Sequence, residues 1–296
     1  MRIAISGSTG LVGSSLAAAL QAEHGQVIRL VRKDPEAGDV LWDPQATTFD
    51  AAPLAGCEAV VHLAGENIAS GRWNTAKKSQ IRQSRVQSTQ VLARALANAE
   101  KKPRVLVSAS AIGYYGDAGE TWLSEQSPAG DDFLAEVCQA WEKATQPARN
   151  AGIRVVNLRI GVVLSKTGGA LAKMLTPFRL GLGGRVGNGR QYWSWIALPD
   201  LVGVIRHALA STTLEGPVNT VAPAAVTNAE FTRILGRVLG RPTLFPLPAF
   251  MARAMLGEMA DALLLSSTRV SAEKLQQSGY RFEYPELELA LRGVIG

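Results

Sequence analysis

The chain has 296 residues, 47% of them hydrophobic and 19% charged, with a formal net charge of +6. That length buries a large core and suits one large domain with a smaller one attached. No apolar run approaches the ~18–20 residues that span a bilayer, and Cys57 and Cys138 have neither metal nor redox spacing, so a cytoplasmic protein without a membrane partner is expected.

Arg2–Ser6 is an apolar run that reads as a first strand, and Ser14–Leu20 reads as a helix. Between them stands Gly7-Ser8-Thr9-Gly10-Leu11-Val12-Gly13, with glycines three apart. Glycines let the backbone turn sharply and approach an anion, while the helix N-terminus offers unpaired N–H groups and a positive dipole end. The spacing therefore predicts a dinucleotide site in its proper strand–turn–helix context. With the first strand starting at Arg2, no presequence is expected.

Further strands are expected at Gln26–Val31, Val40–Trp42, Ala59–Leu63, Val105–Ser108 and Arg154–Arg159, and helices over 75–99 and 133–146. Apolar runs alternating with helices predict a parallel sheet buried on both faces, with ligands beyond the carboxyl ends of its strands. The second half is less regular. Asn188-Gly189 suits a tight hairpin between 185–186 and 191–193. Pro199-Asp200 opens a helix through Ala210, and 218–221 reads as another strand. Thr227 and Glu230 have capping-box spacing before a helix ended by Gly240, and prolines then lead to apolar helices in 249–266.

After the second strand, an NAD site usually supplies an acid for the ribose 2′-hydroxyl. Here Arg32-Lys33 follow Val31. A guanidinium can grip a 2′-phosphate where a carboxylate would repel it, so NADP(H) is the expected cofactor. Two solvated loop cations are the alternative. Residues 72–104 carry nine Lys or Arg and one acid, Glu100. The cations do not form a continuous run and only Trp73 is interleaved, so a solvated helix face is expected there rather than a nucleic-acid site.

Together these segments resemble the extended short-chain dehydrogenase/reductase superfamily, also called the NAD-dependent epimerase/dehydratase family. Gly7–Gly13 matches its glycine motif, 61–65 its strand-four segment, and 106–111 with Tyr114-Tyr115-Gly116 its strand-five serine segment. The runs 64–68, 72–74, 177–184 and 227–231 look like one atypical branch, labelled only "epimerase family protein". The resemblance implies a Rossmann-type doubly wound parallel sheet over 1–165, with 198–222 returning to it. It also implies a smaller C-terminal α+β substrate domain from 166–197 and 223–296, and NADP(H) as cofactor. Leu63, Ala64 and Gly65 would line the adenine–ribose side, and Ser108 would belong to the cofactor site. The substrate stays unspecified: a small polar or sugar-like molecule.

Relatives of this fold use Tyr-x-x-x-Lys, in which the Lys lowers the Tyr pKa for proton transfer. No such spacing occurs in this chain. Aligning Glu142 with the Glu that commonly follows that Lys by four residues places Leu134 and Cys138 at the Tyr and Lys positions. Ser110 and Tyr115 are the remaining catalytic candidates, with hydrogen bonding in a turn and loop packing as their other readings. Arg85 recurs with Ile81, Ser88 and Leu92 on a helix face that is otherwise apolar, so it needs an anion. A cofactor phosphate, a substrate acid or a protein carboxylate would each serve, and Arg159 is a second residue of this type. His62, inside a strand, is expected to be a satisfied structural histidine. Gly183–Gly189 with Trp193 and Trp195 suits either an aromatic lid or simple hairpin packing. An NADP(H)-dependent oxidoreductase or epimerase and a non-catalytic NADP(H) sensor both fit.

Overall fold

A computed structural model describes residues 1–296. Its strands are β1 (Arg2–Ser6), β2 (Gln26–Val31), β3 (Val40–Leu41), β4 (Ala59–His62), β5 (Val105–Ala111), β6 (Trp122–Leu123), β7 (Arg154–Ile160), β8 (Val162–Leu164), β9 (Tyr192–Trp193), β10 (Trp195–Ala197), β11 (Gly216–Thr220), β12 (Val226–Thr227) and β13 (Arg269–Val270). The main helices are α1 (Leu11–Ala22), α2 (Thr75–Asn98), α3 (Phe133–Lys143), α4 (Gln146–Asn150), α5 (Gly169–Arg179), α6 (Leu198–Ala210), α7 (Asn228–Leu239) and α8 (Ala249–Leu256).

Seven strands form one sheet in the order β11-β7-β5-β4-β1-β2-β3, every pair parallel. Parallel pairing requires crossovers, and the crossover helices cover both faces. On one face Leu16 and Leu20 of α1 and Leu201 and Ile205 of α6 pack against Ile3, Ile5, Val61 and Val107. On the other, Leu92 and Leu96 of α2 pack against Ala4, Val60 and Leu106. The order reverses between β1 and β4, so the carboxyl ends of these two strands open the crevice where such sheets take ligands.

A second core holds Leu171, Leu175, Phe178, Trp193, Trp195, Phe231, Leu287 and Leu291. It unites α5, β8–β10, α7 and the C-terminal residues. The segment around 275–282 instead returns to the sheet: Leu275 is in the first core, and Tyr280 and Phe282 pack against it. The C-terminal part of the chain is thus shared between the two units, more than the expected boundaries imply.

β5 and β7 run three and one residues further than their apolar runs suggested, so Ser110 pairs in register with Arg159 inside the sheet. The expected hairpin at Asn188-Gly189 does not form. A turn is there, with Gly189 N donating to Val186 O at 3.1 Å. Its flanks pair elsewhere, β9 with β12 and Val186 with Leu247. Trp193 and Trp195 are buried in the second core, so they form no lid. Thr227 caps α7 as its spacing predicts, its Oγ accepting from Glu230 N at 3.2 Å, and Gly240 ends the helix at φ 63°.

Candidate functional site: a glycine turn at the crevice

The turn 7–13 sits at the carboxyl end of β1. Gly7 has φ +71°, and a Cβ there would lie 2.8 Å from the Leu63 carbonyl carbon. A Cβ on Gly13 would be driven into the Gly7 carbonyl. Glycine is thus required at both positions, by backbone conformation at one and by close approach at the other. Gly10 N donates to Gly7 O, and the helical ladder begins with Ser14 N donating to Gly10 O. The N–H groups of Leu11, Val12 and Gly13 therefore have no backbone acceptor. No acidic side chain occupies the first turn of α1. Ser8 is buried, and its hydroxyl has no hydrogen-bond partner in the protein. A buried orphan hydroxyl beside free N–H groups suits an anion supplied from outside the chain.

Two other segments close on this turn. Leu63 N donates to Ser6 O at 3.1 Å, which sets Leu63 and Ala64 against Gly7. Arg32 and Lys33 follow the last residue of β2, whose Leu30 is paired with Ser6, so they stand at the same sheet end as the turn. Both are exposed, and neither makes an ion pair. Arg29, three residues before Arg32, is instead committed to Asp39 and Glu36.

Arg85 packs its guanidinium on Gly65 and over the Trp141 ring at 5.1 Å. It donates to Glu66 O at 3.0 Å and Ile81 O at 3.2 Å. Burial lowers its pKa. No carboxylate pairs with it, so the charge is met by two carbonyls and a ring face. His62 is fully buried. Its Nδ1 faces Ser6 Oγ at 2.6 Å and its Nε2 faces Ser88 Oγ at 3.4 Å. The Ser88 hydroxyl already donates to Ser84 O, so it accepts from Nε2–H while Ser6 donates to Nδ1. That leaves His62 neutral and satisfied, and burial pulls its pKa down to about 4.

Ser110, Tyr115 and Arg159 meet in a buried network that spacing did not show. Glu142 on α3 takes Arg159 in a fork, Nε to Oε1 at 2.8 Å and Nη2 to Oε2 at 2.9 Å. Ser110 Oγ donates to the same Oε1 at 2.8 Å. Arg159 Nη1 donates to the Tyr115 hydroxyl at 2.9 Å, which in turn donates to Asn219 Oδ1 at 2.6 Å. The Tyr114 ring lies under the guanidinium at 3.4 Å. Burial works against the Arg159 charge, but the Glu142 carboxylate outweighs it and raises the pKa. Burial also pushes the Tyr115 phenol up to about 12. Of the three partners open to Arg159, a cofactor phosphate, a substrate acid or a protein carboxylate, it is the last, Glu142, that meets it here. The hydroxyls of Ser110 and Tyr115, expected to face a substrate, are spent inside the protein. The readable signal was an arginine in an apolar strand, which demands a counter-charge.

Beyond this network the sheet unit and the C-terminal residues enclose a cleft of about 240 Å³. Trp73, Phe133 and Leu134 wall it on one side, and Arg253, Ala262 and Leu265 on the other. Leu134 and Cys138, an apolar side chain and a buried thiol, lie against Gly113. Burial pushes the Cys138 thiol up to about 12. The cations of 72–104 are dispersed: Lys77 pairs with Glu66, Lys78 with Glu258, and Arg72 and Arg104 donate to carbonyls.

Sheet order, crevice and glycine turn define a Rossmann-type protein with an anion-ready first turn. Residues 3–220 match the NAD dependent epimerase/dehydratase family, and 247–294 match a domain of unknown function. The chain belongs to the NAD-dependent epimerase/dehydratase family. It is 46% identical to epimerase family protein Mb2239 of Mycobacterium bovis over 98% of this chain and 96% of that one. The crystal structure of human epimerase family protein SDR39U1 (isoform 2) with NADPH superposes with a TM-score of 0.92 at 37% identity, covering 99% of both chains. A nucleoside-diphosphate sugar epimerase from Corynebacterium glutamicum gives 0.84 at 39% identity, over all of this chain but 58% of that one.

Proposed function

We propose that this chain binds NADP(H) and is an oxidoreductase-like or epimerase-like protein, presenting a small polar or sugar-like molecule to the cofactor from the cleft. The observation that carries this reading is the turn with free N–H groups and the orphan Ser8 hydroxyl, beside a strand end that bears Arg32 and Lys33 where an acid would select NAD. The NADPH in the human relative's structure supports it. Gly7, Ser8, Thr9, Gly10, Leu11, Val12 and Gly13 would hold the pyrophosphate. Arg32 and Lys33 would take the 2′-phosphate, and Leu63, Ala64 and Gly65 the adenine–ribose side. Arg85 would brace Gly65 from behind, and Ser108, buried beside His62 in register, would back the crevice. The bound cofactor supplies or accepts a hydride at its nicotinamide.

The hydrogen bonds of Ser110, Tyr115 and Arg159 support a positioning role, fixing β5, β7 and the 112–115 turn beneath the cleft. Titration with NADPH and NADH tests the cofactor reading: NADPH binds more tightly, and tighter NADH binding overturns it. Leu134 and Cys138 at the Tyr and Lys positions favour a second reading, an NADP(H)-binding redox sensor. Cofactor turnover across a metabolite panel separates the two, since a sensor binds without turnover.

A further inference from the structure

Two segments of the chain carry basic residues and no acid. Residues 169–190 contain Lys173, Arg179, Arg185 and Arg190, residues 241–257 contain Arg241 and Arg253, and neither segment contains an acid. Together they hold six of the 31 Lys and Arg and none of the 25 Asp and Glu, so the remainder balances at 25 to 25. The segments are also adjacent in space. Leu247 N donates to Arg185 O at 2.8 Å, Gly187 N to Leu247 O at 2.9 Å, and Pro242 lies against Gly181.

This same face carries most of the large apolar side chains left in water. Eleven such residues are exposed in the whole chain, and seven of them are here. Leu180 and Leu182 come from the first segment. Leu244, at 76% exposure, Phe245, Phe250, at 71%, Met251 and Met255 come from the second. Phe250, Met251 and Met255 make α8 a short helix with apolar groups turned outward. Arg179, Arg185, Arg190 and Arg241 are exposed and form no ion pair or side-chain hydrogen bond.

We propose that this face lies against an anionic lipid bilayer surface. Exposed aromatic and aliphatic groups enter the acyl boundary while the surrounding arginines meet acidic headgroups. The absence of a spanning helix bears on crossing a bilayer, not on resting against one. A second copy fits the face less well, because a twofold contact would set the unpaired Arg179, Arg185, Arg190 and Arg241 against arginines of their own kind. Nucleic acid would satisfy the arginines but leave the apolar side chains in water. Arg253 lines the cleft, so the docked face adjoins the mouth of the proposed substrate site.

The test is co-sedimentation of the full chain with vesicles of phosphatidylcholine alone or with about a third phosphatidylglycerol. Binding is expected to the anionic vesicles at low salt and to fall as salt rises. Arg179→Gln combined with Arg185→Gln should weaken it about 30-fold, at ~1 kcal/mol per cation near such a surface. Phe245→Ser with Phe250→Ser should weaken it as well. These positions are exposed, so melting temperature and NADPH titration should match the parent and show that the variants fold. Equal binding to neutral and anionic vesicles overturns the proposal, as does no binding to either. Sedimentation showing a stable dimer that Phe245→Ser dissociates would also overturn it, by giving the face to a second copy.

Discussion

Arg32 is the residue whose replacement tests the proposed choice between the two dinucleotides. Arg32→Asp puts a carboxylate where a 2′-phosphate would lie, removing a charge-assisted hydrogen bond worth roughly 1.5–3 kcal/mol and adding repulsion. NADPH affinity is expected to fall by about tenfold or more while NADH affinity holds or rises, as read by paired titrations. His62 gives a prediction about pH. Its folded pKa, about 4, lies below the unfolded value of 6.5. Between these values the unfolded chain binds the extra proton. Stability from this group is therefore complete above pH 6.5 and is lost as the pH falls toward 4. The groups around the ring are the Ser6 and Ser88 hydroxyls and the Trp42 ring, none of which carries a negative charge to pair with an imidazolium. Urea unfolding should show a loss on the order of 3 kcal/mol across that window, and His62→Gln should flatten it. Unchanged pH dependence in that variant would place the titration elsewhere.

Among the elements, the Glu142–Arg159 fork joins α3 to β7 and, through Ser110 and Tyr115, to β5 and the turn that follows it. Breaking one partner of a buried pair costs about 3–5 kcal/mol because the other charge is stranded. Glu142→Gln should therefore lower the urea midpoint sharply, and Glu142→Gln with Arg159→Met should recover much of the loss. An unchanged midpoint in the single variant would show that water reaches the site. This network also marks the limit of what the chain discloses in advance. β1, β2 and β4 were legible because apolar runs bounded by turns are the signature of strands buried on both faces. The ends of β5 and β7 were not, because Ala109–Ala111 and Ile160 look like loop until a partner strand exists for them. The 185–193 region misled because local turn chemistry was right, while β9 found its partner in β12, more than thirty residues on. For the same reason Trp193 and Trp195 suit a lid as well as hairpin packing in the sequence: their burial depends on α7 and the C-terminal residues, which no local pattern reveals.

For the whole molecule, α8 and the Glu258 that follows it are tied to the sheet unit by surface contacts. Lys78 pairs with Glu258, and Arg72 donates to Ala254 O at 2.5 Å. Exposed pairs of this kind contribute about 0–1 kcal/mol, so global unfolding should hardly register their loss. Arg72→Ala with Lys78→Ala should instead speed amide exchange over 249–258 while the strands keep their protection. Uniformly faster exchange would mean that the two units unfold as one.

The strand order carries a consequence for how the chain is made. β11 closes the outer edge of the sheet beside β7, and α6 and Leu275 cover the face that α1 leaves open. All three lie downstream of the first visit to the smaller unit. A ribosome that has released only the first six sheet strands holds a domain with one raw edge and a greasy flank, unable to finish until nearly the last residues emerge. Synthesis of this protein therefore passes through a long interval of exposure, in which a holdase chaperone has more to protect than the length of the nucleotide-binding half would suggest.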